Sequence, residues 1–403
     1  MANFGNVKQS PGYVKCSSHY DIPLGLDIQF DKWDFCFLIL IILPRLYIYI
    51  ENIDRDVFSS SNGWNDSTSS ISSSSRYITV EVSGLGEKLL EIEDGPIVNP
   101  HNFNYKLNPG SMICSLESAS QKPLILIYIH SDPSHDKRRL LIRETWGSPY
   151  NFKDFEIRTI FLCGITNNNT MLQEALELEY DRYRDIVQED FIDTYRNLTY
   201  KGIMALKWIS QNCMKALLIL KADDDIFLNI FKLMSRLNTI MHDNGILKSN
   251  NNNINNNINK DINLFMCNVW DRMMVIRDPK SKWYVSEAEF PENYFGRYCS
   301  GSAYAYTTSM VPMMFRMSRH VPFFWVDDYY ITGLLPSKMK IPVKYEEINR
   351  LYFLAPGLFL EKFSMNDGDG EESRLAIGHS HNINQFLAVW RMVLKKYANA
   401  TMS

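Results

Sequence analysis

Ala216-Leu-Leu-Ile-Leu220-Lys221-Ala222-Asp223-Asp224-Asp225 runs from an apolar stretch straight into three adjacent acids. Such a run, ending abruptly in charge, reads as an interior strand of a parallel sheet, and in open α/β sheets ligands bind beyond the carboxyl ends of the strands. Adjacent carboxylates repel one another, so a cation belongs among them. Their hard oxygen donors suit Mg²⁺ or Mn²⁺, which proteins hold with one or two carboxylates and the phosphates of a bound nucleotide. The chemistry indicated is a divalent cation gripping a diphosphate. The plainer alternative is an acid cluster that complements the dipole of a following helix, here the helix-like stretch 226–240.

Outward from this strand, apolar patterning predicts further strands at 124–129, 157–163 and 264–269, with a short extended piece at 185–187. Helices are expected after a Ser134 cap, over 171–184 and over about 195–212, where Ile203, Leu206, Trp208 and Ile209 crowd one side. Alternating strands and helices imply an α/β fold with a mostly parallel central sheet covered by helices. The asparagine-rich stretch 249–262 reads as an inserted surface loop.

With 403 residues, 45% of them hydrophobic, the chain can bury one large core and still carry appendages. A net charge of −4 speaks against nucleic-acid binding, which needs a basic field. Residues 33–50 are apolar but interrupted by Pro44 and Arg45. They fall short of the about 20 unbroken apolar residues of a good spanning helix and read as a marginal signal-anchor. Lys32 before the segment and Glu51, Asp54 and Asp56 after it favour a cytoplasmic tail over 1–32. No small-residue cleavage site is obvious. Residues 51–121, opening in Ser, Asn and Thr, read as a stem with a little strand near 77–82, ahead of a catalytic domain over 122–403. Glycosylation sequons begin at Asn65, Asn168, Asn197 and Asn399. Beyond the apolar segment stand Cys114, Cys163, Cys213, Cys267 and Cys299, an odd set that leaves at least one thiol free and its pairing open.

Four further segments carry chemistry: Ser134-His-Asp-Lys-Arg-Arg-Leu-Leu-Ile-Arg143-Glu-Thr-Trp146-Gly147, Asp190-Phe-Ile-Asp-Thr-Tyr-Arg-Asn197-Leu-Thr-Tyr-Lys201, Ile276-Arg277 with Lys282-Trp283-Tyr284 ahead of Tyr298-Cys299-Ser300-Gly301, and Trp325-Val-Asp327-Asp328-Tyr-Tyr-Ile-Thr-Gly333. In this order, over about residues 123–390, they resemble the β-1,3-galactosyltransferase family, glycosyltransferase family 31. The resemblance implies a GT-A type glycosyltransferase fold, a UDP-sugar donor with UDP-galactose favoured, Mn²⁺, inversion at the transferred sugar, and a single-pass type II protein of the Golgi membrane acting on a glycan acceptor. It also implies roles. Asp223, Asp224 and Asp225 match the family's metal-binding triplet, with Asp225 the direct ligand and Asp223 beside it, His379 matches the histidine that completes the metal site, and Asp328 matches the acid proposed as the base.

The residues agree with that chemistry. A cation steadies the charge on departing UDP, and a carboxylate near the acceptor hydroxyl can take its proton. Asp328, opening a helix over 329–335, would gain from the helix dipole; the alternative is that Asp327 and Asp328 only cap it. Arg143, Lys201, Lys221, Asp223 and Asp224 are candidates for holding the nucleotide and its cation. Arg138 and Arg139 are further candidates for the diphosphate. Arg143 and Trp146 could instead fasten the first helix to the sheet, and Lys221 could simply neutralise the acids. Trp283, Tyr298 and Tyr304 are candidate sugar-stacking rings, and His381 is a second candidate ligand. Gly296-Arg297, Ala303, Cys163 and Tyr329 depart from the family pattern and leave the transferred sugar open between galactose and an N-acetylhexosamine. A catalytically silent glycan-binding protein of the same fold is the remaining alternative. The retained acids and His379 weigh against it.

Overall fold

The computed structural model describes residues 95–115, 122–149, 155–247, 262–365 and 375–397, all within the compact unit Glu87–Ser403. The apolar segment 33–50, the strand expected near 77–82, Asn65, Asn399 and nearly all of the 249–262 insertion lie outside the described residues. Among the described residues no helix is long and apolar enough to cross a membrane.

The described chain runs β1 (Tyr105–Leu107), β2 (Leu124–His130), α1 (Asp136–Arg143), β3 (Glu156–Ile165), α2 (Thr170–Tyr183), β4 (Ile186–Ile192), α3 (Leu198–Asn212), β5 (Leu218–Asp223), β6 (Ile226–Leu228), α4 (Ile230–Asp243), β7 (Leu264–Trp270), β8 (Tyr298–Thr307) and α5 (Val311–Ser318). Next comes α6, which opens at Asp327–Tyr329, passes through a π turn at Tyr330–Leu334 and ends at Leu335–Lys338. β9 (Lys344–Glu347), β10 (Tyr352–Phe353), α7 (Phe359–Met365), β11 (Ile377–His379) and α8 (Ile383–Tyr397) complete it.

Eight strands form one sheet in the order β1-β4-β3-β2-β5-β8-β7-β9. β4, β3, β2 and β5 are parallel, whereas β8 lies antiparallel between β5 and β7, and β1 is antiparallel on the edge. β9 is parallel to β7, so six of the eight strands share one direction: the sheet is mostly parallel, as the sequence suggested, with β1 and β8 reversed. No helix crosses over between β7 and β8, only the connection 271–297, so β8 returns antiparallel. The central strand β2 is buried on both faces: Ile125, Ile127 and Ile129 enter one core, and Leu124, Leu126 and Tyr128 the other. That two-sided burial is why β2 reads as an unbroken apolar run up to His130. α3 closes the second core with Ile203, Leu206, Trp208 and Ile209.

Several local expectations are revised. Residues 226–228 form a strand, and the helix starts later, at Ile230, because the Asn229 side chain accepts from the Lys232 N–H and caps it. β6 pairs with β11 in a second, three-stranded sheet with Ile226 opposite His379. Ser134 does not cap α1; its hydroxyl donates to Asp132, and His135 occupies the cap position. The extended piece after Asp185 is a full strand, β4.

The folded unit also begins upstream of residue 122. β1 pairs with β4, and a buried His101–Glu189–Lys207 cluster, with contacts of 2.7 and 2.6 Å, fastens the segment to β4 and α3. Cys114–Cys213 closes the attachment across 99 residues of sequence, Cys267–Cys299 ties β7 to β8, and Cys163 is free and buried. A cross-link over so long a loop contributes on the order of 4–5 kcal/mol in chain-entropy terms. Cys114→Ser/Cys213→Ser is therefore expected to lower unfolding stability by about 2–5 kcal/mol, read as a drop in denaturant midpoint. An unchanged midpoint would show that the link contributes nothing.

Candidate active site

The parallel strands deliver the acids. β2 and β5 run in register to His130 opposite Asp223, and the Asp224 N–H bonds back to the His130 carbonyl. β6 then places Ile226 against His379 of β11, so the turn between β5 and β6 carries Asp225 to His379: Nε2 lies 2.9 Å from Oδ2. His381 Nδ1 is 3.9 Å from the same oxygen. Asp225, His379 and His381 form a group whose ligand atoms lie within 4.8 Å of one another.

The acids of the triplet have separate surroundings. Asp224 is buried and accepts from Ser131 Oγ, His135 Nδ1 and Arg138 Nη1, each at 2.8 Å. Burial alone would raise its carboxyl, but those bonds outweigh it and hold the group below its ordinary range. Asp225 follows the same pattern, burial being overcome by its bond to His379. Asp223 goes the other way. Burial, helped by Asp225, pushes it up to about 7 against the pull of Lys221. Its side chain keeps 38% exposure toward solvent, and a cation nearby would reverse the rise. Lys221 is buried; its Nζ donates to Asp223 Oδ1 at 2.5 Å and to the Gly301 carbonyl. Burial works against the ammonium, yet Asp223 and Asp327 keep it above its ordinary value.

Asp328 sits at the start of α6, with Oδ2 accepting from the Gly301 N–H at 3.1 Å and Oδ1 from the Tyr329 N–H at 2.8 Å. A Cβ on Gly301 would come within 3.1 Å of the Asp328 Cβ, so the glycine is what lets β8 approach this carboxyl. The helix start does not keep Asp328 strongly acidic. Burial, then neighbouring Asp327, raise its carboxyl well above the usual range.

One cavity of about 520 Å³ is lined by Asp223, Asp225 and His379 together with Asp327, Asp328, Ser300 and Gly301. A smaller one, about 280 Å³, adjoins it and is lined by His130, Asp132, Arg138, Asp193, Lys201 and the triplet. Tyr195 and Leu198 border both. A larger cavity of about 930 Å³ lies against α4 and residues 347–351 and contains none of these acids, so volume alone does not mark the site.

Other sequence candidates fall into place around these cavities. Lys201 borders the smaller one, though its Nζ is engaged by the Ser131 carbonyl at 2.6 Å and Asp193 at 2.9 Å. Arg143 lines neither cavity: it grips Asp185 through two 2.8 Å bonds and Glu179 at 2.7 Å, and lies 4.0 Å from the Tyr183 ring centre. With Arg139, also bound to Glu179, and the buried Trp146, it is scaffold that fastens α1 to α2. Tyr304 is core, its hydroxyl 3.1 Å from that of Tyr128. Trp283 and Tyr298 do border the 520 Å³ cavity, Trp283 with 53% exposure.

Sequence reading passed over the residues that seat the triplet, Ser131 and His135, and the neutral buried His130. Burial, then Lys221 and Lys201, hold that histidine far below its ordinary value, and neither ring nitrogen has a hydrogen-bond partner. His135 at the cap and Arg138 in the first turn of α1 stand three apart, and both reach Asp224. That spacing was a visible signal.

Residues 137–347, just over half of the chain, match the Galactosyltransferase family. β-1,3-Galactosyltransferase 1 of mouse and of human is 31% identical over 60% of this chain and 68% of the relative. Human β-1,3-galactosyltransferase 5 is 29% identical over 58% of this chain and 69% of its own. The solved galactosyltransferase LgtC, in complex with donor and acceptor sugar analogues, overlaps 68% of this chain and 99% of its own at 8% identity and a TM-score of 0.33, too slight a likeness to bear on the fold. The chain, with its clustered acids and histidines at the strand ends, belongs to the galactosyltransferase family and is a hexosyltransferase.

Proposed function

We propose that this enzyme moves galactose from UDP-galactose to a glycan hydroxyl in β-1,3 linkage, with inversion and with a divalent cation, Mn²⁺ favoured, on a GT-A type fold. The observation that carries the reading is a single cavity lined by both the Asp225–His379 pair and Asp328. A carboxylate with imidazoles is a donor set that fits Mn²⁺ better than Mg²⁺, so Asp225 and His379, with His381 beside them and Asp223 lining the same cavity, are the residues that would hold the ion. When bound, the cation supplies Lewis-acid stabilisation of the departing diphosphate.

The chain's own residues do the rest. The smaller cavity, with Asp132, Asp193 and Lys201 and the Tyr195 ring at its border, offers hydrogen bonds for a nucleoside. Asp328 takes the acceptor proton as the acceptor oxygen bonds to the sugar's anomeric carbon and the bond to UDP breaks, UDP keeping the electron pair. The Gly301 N–H fixes one Asp328 oxygen, and Lys221 ties Gly301 to Asp223, so base and acid cluster are held by one strand.

A base whose carboxyl is raised loses its charge earlier as the medium is acidified. Turnover at saturating donor and cation is therefore expected to fall as pH drops through a point above the ordinary carboxylate value of about 4. A kcat profile flat down to about pH 5 would remove Asp328 from the role. The donor sugar is tested by offering the purified chain UDP-galactose, UDP-N-acetylglucosamine and UDP-N-acetylgalactosamine and measuring UDP release. Preference for an N-acetylhexosamine would replace galactose in this reading.

The proposed setting is the Golgi lumen, with residues 33–50 as anchor. Two disulfides support an oxidising compartment, and the sequon at Asn168 stands exposed in the turn before α2. At the other described sequon, the Asn197 amide already donates to the Ile192 carbonyl at 2.8 Å.

A further inference from the structure

Most cations bordering the two cavities are already engaged. Lys221 serves Asp223 and the Gly301 carbonyl, Arg138 serves Asp224, and Lys201 serves Asp193. Lys282 differs. It lines the 520 Å³ cavity, is exposed, and forms no ion pair among the described residues. Its ammonium stands 4.5 Å from the Trp283 ring centre and 6.0 Å from that of Tyr195, the residue that borders both cavities. An exposed cation–π contact is weak and leaves the ammonium free to turn inward.

The segment bearing Lys282 is well held. Within 271–297, the Arg277 guanidinium donates to the carbonyls of Val285, Phe290 and Glu292, each at 2.8 Å, and Met274 bridges to Tyr294. Val285 and Phe295 are buried beneath it. From outside, Arg196 bonds Glu289 at 3.1 Å while its guanidinium stands 4.2 Å from the Trp325 ring centre. Arg196 belongs to the turn Tyr195–Asn197 that leads into α3, so the loop is clasped to the same turn that borders both cavities.

A diphosphate entering this cavity meets Asp223, Asp225, Asp327 and Asp328. One divalent ion offsets only part of that repulsion. We propose that Lys282 is a diphosphate-binding residue of the donor site, pairing with phosphate oxygens from the loop side of the cavity and holding them as UDP departs. This rests on the UDP-sugar reading above. A lysine suits the task as a compact, mobile point charge.

The test measures binding of UDP and of uridine, with Mn²⁺ present, to the intact chain, to Lys282→Gln and to Lys282→Arg. A charge-assisted bond of ordinary strength predicts that Lys282→Gln weakens UDP about 10- to 100-fold and leaves uridine unchanged, with Lys282→Arg recovering most of the loss. An equal loss for UDP and uridine would mean a disturbed loop and would overturn the assignment. So would unaltered UDP affinity, including a case where only the acceptor KM rises. Failure of the unaltered chain to bind UDP overturns the donor reading as well, and is recognised before any substitution is made.

Discussion

Asp328→Asn is expected to cut turnover by about 10²- to 10⁴-fold while UDP and Mn²⁺ affinities stay near those of the unaltered chain. The amide oxygen can still accept from either the Gly301 or the Tyr329 N–H, so the near-isosteric side chain keeps its place at the cost of one hydrogen bond. What disappears is the lone pair basic enough to take the acceptor proton. Because the candidate cation ligands come from β11 and the turn after β5, the loss should fall on kcat and not on donor affinity. Asp327 faces Lys221 and lies 3.9 Å from His130, so Asp327→Asn should be milder. Near-normal turnover by Asp328→Asn beside an inactive Asp327→Asn would move the base by one position.

Asp225→Ala should abolish turnover and remove the stabilisation that Mn²⁺ confers. A cation bound only by the native state stabilises it by about 2.7 kcal/mol at a hundredfold excess over Kd, which is measurable as a shift in Tm. Asp225 is the acid that His379 approaches most closely and that His381 flanks; deleting it leaves two imidazoles without their shared carboxylate. Asp224→Ala should behave differently. That carboxylate is enclosed by Ser131, His135 and Arg138, and removing it leaves donors near the core unpaired, so the loss should appear in stability even without Mn²⁺. If Asp224→Ala abolished the Mn²⁺-induced shift and Asp225→Ala preserved it, the ligand would be the wrong acid of the three.

The parallel strands β2 and β5 were legible because they are buried on both faces and read as apolar runs ended by polar residues. β6 was not. Three residues are too few to show a period, and its state is decided by β11, about 150 positions away in sequence. The local cue was Asn229, whose cap marks where the helix begins. Arg143 illustrates the opposite difficulty: a basic helix face looks the same whether it awaits a phosphate or already holds Glu179 and Asp185, residues brought to it only by the packing of α2. The resemblance singled out His379, and the structure supplies the reason for its placement, an antiparallel pairing with the strand that follows the acids.

The most direct measurement is UDP release from UDP-galactose by the intact chain with a glycan acceptor, first in excess chelator and then as Mn²⁺ is restored. No turnover in chelator, and recovery with Mn²⁺ in the unaltered chain but not in Asp225→Ala, is the expected result. Full turnover in chelator would contradict a cation-dependent site built on Asp225 and His379.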